Sequence, residues 1–173
     1  MFVNDFLPLH QLLDWVDWLS PELEEKYKIR SILIPRWKNF LSRHVDRFDR
    51  YPEMVTHGST HICNVLSLAE NMFYPDFISR KKHPSYFSGE ELFLLIAGIF
   101  LHDIGMADIS YGSVWNIQDI RRNHSVLSGK ILKYRFKDIR SKRFKELNTE
   151  NLLPTFQDEN EVDTLAQICI HHQ

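Results

Sequence analysis

The sequence predicts an all-α domain. Three observations lead there. Apolar residues recur at three- and four-residue spacing over most of the 173 residues. Glycine is scarce, at six, and no Asn-Gly or Asp-Gly pair joins two alternating runs as a hairpin turn would. Helix-start signatures recur as well. Ser20-Pro21 pairs a capping hydroxyl with a proline at the first helical position, and Ser88-Gly89-Glu90-Glu91 has the form of a capping box.

The elements follow in order. Phe6, Leu9, Leu12, Leu13, Val16 and Trp18 form the stripe of a helix over 5–19. A second helix starts at Ser20-Pro21 and heads toward Arg50, bent or restarted at Pro35. A third is expected from Pro52 to Phe73, with Ile62, Val65, Leu66 and Ala69 inward and Pro75 as its stop. Residues 75–88 read as a polar loop. The segment from Glu91 to about His102 is apolar all round, which marks a central, buried helix. Residues 104–120 read as a loop carrying Asp108, Tyr111, Trp115 and Asp119. A helix from about Asn123 to Phe136 follows. The last starts near Asp158 and carries Val162, Leu165, Ala166 and Cys169.

Composition excludes several classes. Hydrophobic residues make up 43% and charged residues 25%, enough to build a packed core and too apolar for a disordered chain. A net charge of -2 argues against a general nucleic-acid binder. Two cysteines, Cys63 and Cys169, cannot form a disulfide framework; they read as small packing residues and fit a reducing cytoplasm. The longest apolar run, Leu92–Leu101, is too short for a bilayer, and no signal segment opens the chain. A cytoplasmic protein is expected.

Nine histidines are the unusual feature. His57 and His61 are four apart and stack on one helix face. His102-Asp103 closes the buried helix. His124 is in phase with Leu127 and Ile131, and His172 with Leu165 and Cys169; His171 lies one position round. A lone inward histidine is usually a satisfied core residue; His10 and His44 are read so, and His83, in the polar loop, as solvated. Several together are different. Each buried ring has a polar nitrogen to satisfy, and convergence on a divalent metal satisfies all of them at once. His57-Gly58-Ser59-Thr60-His61 is not a zinc-protease motif, because Gly58 stands where the catalytic Glu would be. No phosphate-cradling Gly-rich loop with Lys and no Gly-x-Ser-x-Gly elbow occurs.

These motifs resemble the HD-domain superfamily of metal-dependent phosphohydrolases. His61 matches the first ligand, and Phe100-Leu101-His102-Asp103-Ile104-Gly105 matches the His-Asp doublet in its usual setting. His124…Gly129…Ile131-Leu132 and the vicinal His171-His172 resemble the subgroup with two or three metals that contains cyclic-dinucleotide phosphodiesterases. Two departures stand out. Met106 occupies the position where the cyclic-dinucleotide phosphodiesterases usually have Lys, and no residue is left for the superfamily's final Asp, so the chain is expected to be a fragment of a longer protein. Glu91-Leu-Phe-Leu-Leu-Ile and Arg121-Arg122-Asn123-His124 are also similar to a bacterial HD group found beside Hsp90-like ATPase domains in defence systems, which implies an adjoining ATPase domain as partner.

The resemblance implies an HD-type helical bundle over 51–173, C-terminally truncated, with residues 1–50 as a helical extension packed on it. It implies one or two divalent ions, Mn, Fe, Ni, Zn or Mg, with Asp103 bridging and His61, His102, His124, His171 and His172 as the other ligands. His57 would donate a proton to the leaving oxygen or bind a third ion, making His57 and Asp103 the catalytic pair. By their position next to His124, Arg121 and Arg122 are the candidates to hold phosphate, the simpler reading being a solvated helix start. The expected reaction is hydrolysis of a phosphomonoester or phosphodiester, with a nucleotide, cyclic nucleotide or related ester as substrate. The alternative is a non-catalytic module that senses nucleotide and metal inside a larger protein. The basic run from Lys130 to Lys145 leaves nucleic acid as a less favoured partner, its simpler reading being a solvated face. No membrane partner is expected.

Overall fold

A computed structural model describes residues 21–45, 57–80, 88–106, 117–137 and 159–171. Among them all regular structure is helical, with no strand, in line with the fold class expected from the sequence. The helix expected over 5–19, His10, His83 and His172, the loop residues Asp108, Tyr111 and Trp115, and the basic residues 138–145 lie outside the described residues.

Helix α1 spans Pro21–Tyr27, with Glu22 and Glu24 in its first turn, where carboxylates meet the positive end of the helix dipole. It breaks at Lys28, whose backbone is left-handed at φ 51°. The Glu24 carboxylate closes the break by accepting the Arg30 N–H at 3.0 and 3.2 Å. One wide π-type turn, Ile29–Leu33, then leads into α2, Ile34–His44. Pro35 sits in the first turn of α2, where its missing N–H costs nothing. The interruption expected at Pro35 therefore falls earlier, at Lys28, and α2 ends short of Arg50.

Helix α3 spans Ser59–Arg80. It starts later than the expected Pro52, because His57 and Gly58 precede the helix and the Gly58 carbonyl opens its ladder by accepting from Ile62 N–H at 3.1 Å. It also runs through Pro75, the expected stop. An interior proline loses one ladder bond and crowds the carbonyl four residues back, a cost of about 3 kcal/mol that here does not end the helix. Helix α4, Gly89–Leu101, has the full capping box: Ser88 Oγ accepts Glu91 N–H at 3.1 Å and Glu91 Oε2 accepts Ser88 N–H at 2.7 Å. Helix α5, Ile117–Lys137, begins earlier than the expected Asn123, with Asp119 in its first turn. Helix α6, Glu159–Ile170, buries Val162, Leu165, Ala166 and Cys169, the stripe read from the sequence.

Helix α4 is the centre of the core, with Leu92, Phe93 and all of Ile96–Leu101 buried. Burying each of its Leu, Ile and Phe side chains is worth about 1.5–3 kcal/mol, so this helix is held firmly in place. Tyr27 stacks on Phe93 with centroids 4.3 Å apart, and its hydroxyl donates to Glu161 at 2.7 Å; Trp37 packs on Phe100 at 5.0 Å. Helix α6 packs on α5 and α4. Gly129 allows the approach to α5: a Cβ there would stand 2.8 Å from Ile170 Cδ1 and 3.1 Å from the Ala166 carbonyl. No described helix is long and apolar enough to cross a membrane.

Candidate metal centre

The end of α4 sets the site. His102 caps the helix, its N–H bonded to the Gly98 carbonyl at 2.9 Å. The chain then tightens into a short 3-10 turn, closed by Met106 N–H on the Asp103 carbonyl at 3.0 Å. Ile104 and Met106 are both fully buried. These apolar anchors hold the turn inward, and Asp103 is left only 1% exposed. Met106 is a core residue that offers no charge to the site.

Three imidazoles surround that carboxylate. His61, in the first turn of α3, has Nε2 3.5 Å from Asp103 Oδ2 and 3.0 Å from His102 Nε2. His102 Nε2 is 3.1 Å from Oδ2, and His124 Nε2 is 3.2 Å from Oδ1. His57, just ahead of α3, completes the cluster: its ring lies edge-on to His124 at 5.2 Å and 6.0 Å from that of His61. The potential ligand atoms fall into two groups, His61/His102/Asp103 and His57/Asp103/His124, each within 4.8 Å and joined by the one aspartate.

The ring orientations decide what this cluster can hold. His102 Nδ1 faces the Ile99 carbonyl at 2.9 Å, and His124 Nδ1 faces the Arg121 carbonyl at 2.6 Å. A carbonyl only accepts, so both Nδ1 atoms carry the hydrogen. In the neutral rings the Nε2 lone pairs then point at Asp103. Lone pairs aimed at a buried carboxylate repel it, and a cation between them relieves the repulsion. Fixing the tautomer through the far nitrogen is also how metal-ligating histidines are oriented. Donors about 2.1 Å from a divalent ion stand about 3.0–3.5 Å from one another, the spacing found here. Imidazole with carboxylate is a donor set suited to first-row divalent ions. The residues present fit such an ion.

Without one, the Asp103 charge acts on its neighbours. Burial, the largest influence on His124, pushes its pKa down, but the hydrogen bonds to Asp103 and the Arg121 carbonyl and the Asp103 charge together raise it. Burial, and then the Asp103 charge, push the Cys169 thiol up to about 12, which keeps it neutral. Cys63 is half-buried.

The candidates read from the sequence divide as follows. His57, His61, His102, Asp103 and His124 come together. Arg121 and Arg122 are exposed on α5, the Arg121 carbonyl meeting the His124 ring. His171 is exposed just past α6 and belongs to neither ligand group among the described residues. Its phase explains this: α6 turns Leu165 and Cys169 inward, and the position in register with them is 172, not 171.

Two contributors carry no chemical signal in the sequence. Gly105 N–H donates to Ser128 Oγ at 2.8 Å, and Ser128 Oγ donates to the His124 carbonyl at 2.9 Å. A Cβ on Gly105 would collide with the His124 carbonyl and stand 2.7 Å from Ser128 N, so only glycine lets this turn lie against α5. The available signals are small residues: the glycine two positions after Asp103, and Ser128, one helical turn after His124.

The family model HD-CE matches residues 48–173. No curated protein and no solved structure matches the chain significantly.

Proposed function

The chain belongs to the HD-CE family, and from that premise we propose that it is a metal-dependent phosphohydrolase acting on a nucleotide, cyclic nucleotide or related phosphate ester. The observation that carries this reading is the set of three imidazole Nε2 atoms 3.1–3.5 Å from the oxygens of one buried carboxylate. A bound divalent ion would supply Lewis-acid polarisation of a phosphoryl oxygen and a water acidified toward neutral pH. His61, His102 and Asp103 would hold one ion, and Asp103 with His124 a second, joined by His172 as the family resemblance implies. The Ile99 and Arg121 carbonyls keep the His102 and His124 lone pairs aimed at that position. His57, half-buried beside His124, holds a proton for the leaving oxygen.

Arg121 is assigned the substrate phosphate. It stands three residues before His124, on the same helix face, and its charge is felt at the His124 ring. Arg122 lies about 100° further round. The buried Met106 supports a substrate other than a cyclic dinucleotide, since it replaces that subgroup's Lys with an apolar core residue.

The test is a screen of nucleoside mono-, di- and triphosphates and cyclic nucleotides for hydrolysis, run with Mn2+, with Asp103→Ala alongside. Turnover by wild type that is abolished in the variant supports the proposal. Metal and nucleotide binding with no turnover of any member would replace it with the sensing-module reading.

A further inference from the structure

Holding two ligand-bearing segments in register takes more than the ligands. Asp103 comes from the turn after α4 and His124 from α5, and their side chains meet at 3.2 Å. The backbones meet there as well. The Gly105 N–H, two residues past Asp103, reaches across to Ser128 Oγ at 2.8 Å; the same hydroxyl hands its own hydrogen to the carbonyl of His124 at 2.9 Å. Ser128 is fully buried, and this hydroxyl both accepts from one ligand segment and donates to the other. An alanine there would leave the buried Gly105 N–H without its acceptor and would leave the close approach of turn and helix held by packing alone.

We propose that Ser128 is a positioning residue of the metal centre: its hydroxyl sets the separation between Asp103 and His124, and so the affinity for the ion those two residues share. The inference rests on the metal-centre reading above. It predicts an effect through geometry, because Ser128 adds no donor to the ligand groups. Partners behind metal ligands typically change metal affinity by about 10- to 100-fold when removed.

The experiment is Mn2+ titration of the chelator-stripped full chain, following free Mn2+ by electron paramagnetic resonance. Wild type is compared with Ser128→Ala, Ser128→Cys and Ser128→Thr. Cysteine more than fills the volume but bonds weakly; threonine keeps the hydroxyl. A merely structural serine would be restored by volume, a positioning serine by the hydroxyl. The expected result is a Mn2+ dissociation constant raised at least tenfold in Ser128→Ala and Ser128→Cys and near the wild-type value in Ser128→Thr. Wild-type affinity in Ser128→Ala, or in Ser128→Cys, overturns the inference and leaves the metal-centre reading intact. Wild type that takes up neither Mn2+ nor, by elemental analysis, Zn2+ overturns both. Should the variants fail to fold, amide hydrogen exchange on the wild type decides. A Gly105 amide protected like the neighbouring core amides supports the bond, and one exchanging at the unprotected rate overturns it.

Discussion

Gly105→Ala tests how tightly the site depends on the approach of the turn to α5. The added Cβ would meet three groups with no soft end: the His124 carbonyl, Ser128 N at 2.7 Å and Leu127 Cβ at 2.9 Å. Bringing Ser128 N out to an ordinary 3.4 Å contact requires a shift of about 0.7 Å, and the His124 carbonyl must move further still. The Gly105–Ser128 hydrogen bond and the 3.2 Å contact between Asp103 and His124 lie on the same interface and open with it. Overpacking costs about 1–3 kcal/mol and a weakened buried hydrogen bond about 1–3 kcal/mol, so the loss is about 2–6 kcal/mol in all. For a chain of this size that lowers Tm by roughly 4–24 °C. Thermal unfolding followed by circular dichroism, in chelator so that metal does not contribute, reads this directly. A Tm within about 2 °C of wild type would refute the reasoning, since the clash would then be relieved at almost no cost.

Three further outcomes are expected. Ser88→Ala removes half of the α4 capping box and should cost about 1 kcal/mol, or roughly 2–4 °C in Tm, with Mn2+ affinity unchanged, as checked by unfolding and metal titration. Burial, and then the Glu161 carboxylate working against the pull of Lys26, push the Tyr27 phenol up to about 12. An unfolded phenol titrates near pH 10, so this contribution to stability is complete below about pH 10 and is lost as pH rises toward about 12. Denaturant melts across that window should show the fall in wild type and a shallower one in Tyr27→Phe. Steady-state kinetics on any substrate found should show KM raised at least tenfold by Arg121→Ala and less than about threefold by Arg122→Ala, because only Arg121 shares the His124 face.

Much of the site could be read from helical phase. His61 precedes Val65 and Ala69 by whole turns, His124 precedes Leu127 and Ile131, and His102-Asp103 follows an all-apolar helix; each relation is local, so the sequence shows it. The same holds for the α4 cap and the inward stripe of α6. What the sequence hid depends on distance between segments. Nothing around Gly105 says that α5 will lie against it, and Ser128 looks like any helical serine. Pro75 misleads because an interior proline, at a cost of about 3 kcal/mol, here leaves the helix unbroken. The start of α5 was missed for the opposite reason: Ile117–Ile120 continue a segment rich in turn formers, and a weak propensity signal there is settled by packing. The break at Lys28 rests on one left-handed residue and a Glu24 carboxylate that reaches past it, neither of which has a sequence signature.

The most direct test of the account is metal content. Elemental mass spectrometry on full-length chain purified without chelator, beside His102→Ala and Asp103→Ala, asks whether the buried carboxylate and its imidazoles hold an ion. One or two equivalents of a first-row divalent metal in wild type, lost in both variants while their helical circular dichroism is kept, is the predicted result. No metal in wild type, even after dialysis against Mn2+ or Zn2+, would contradict it.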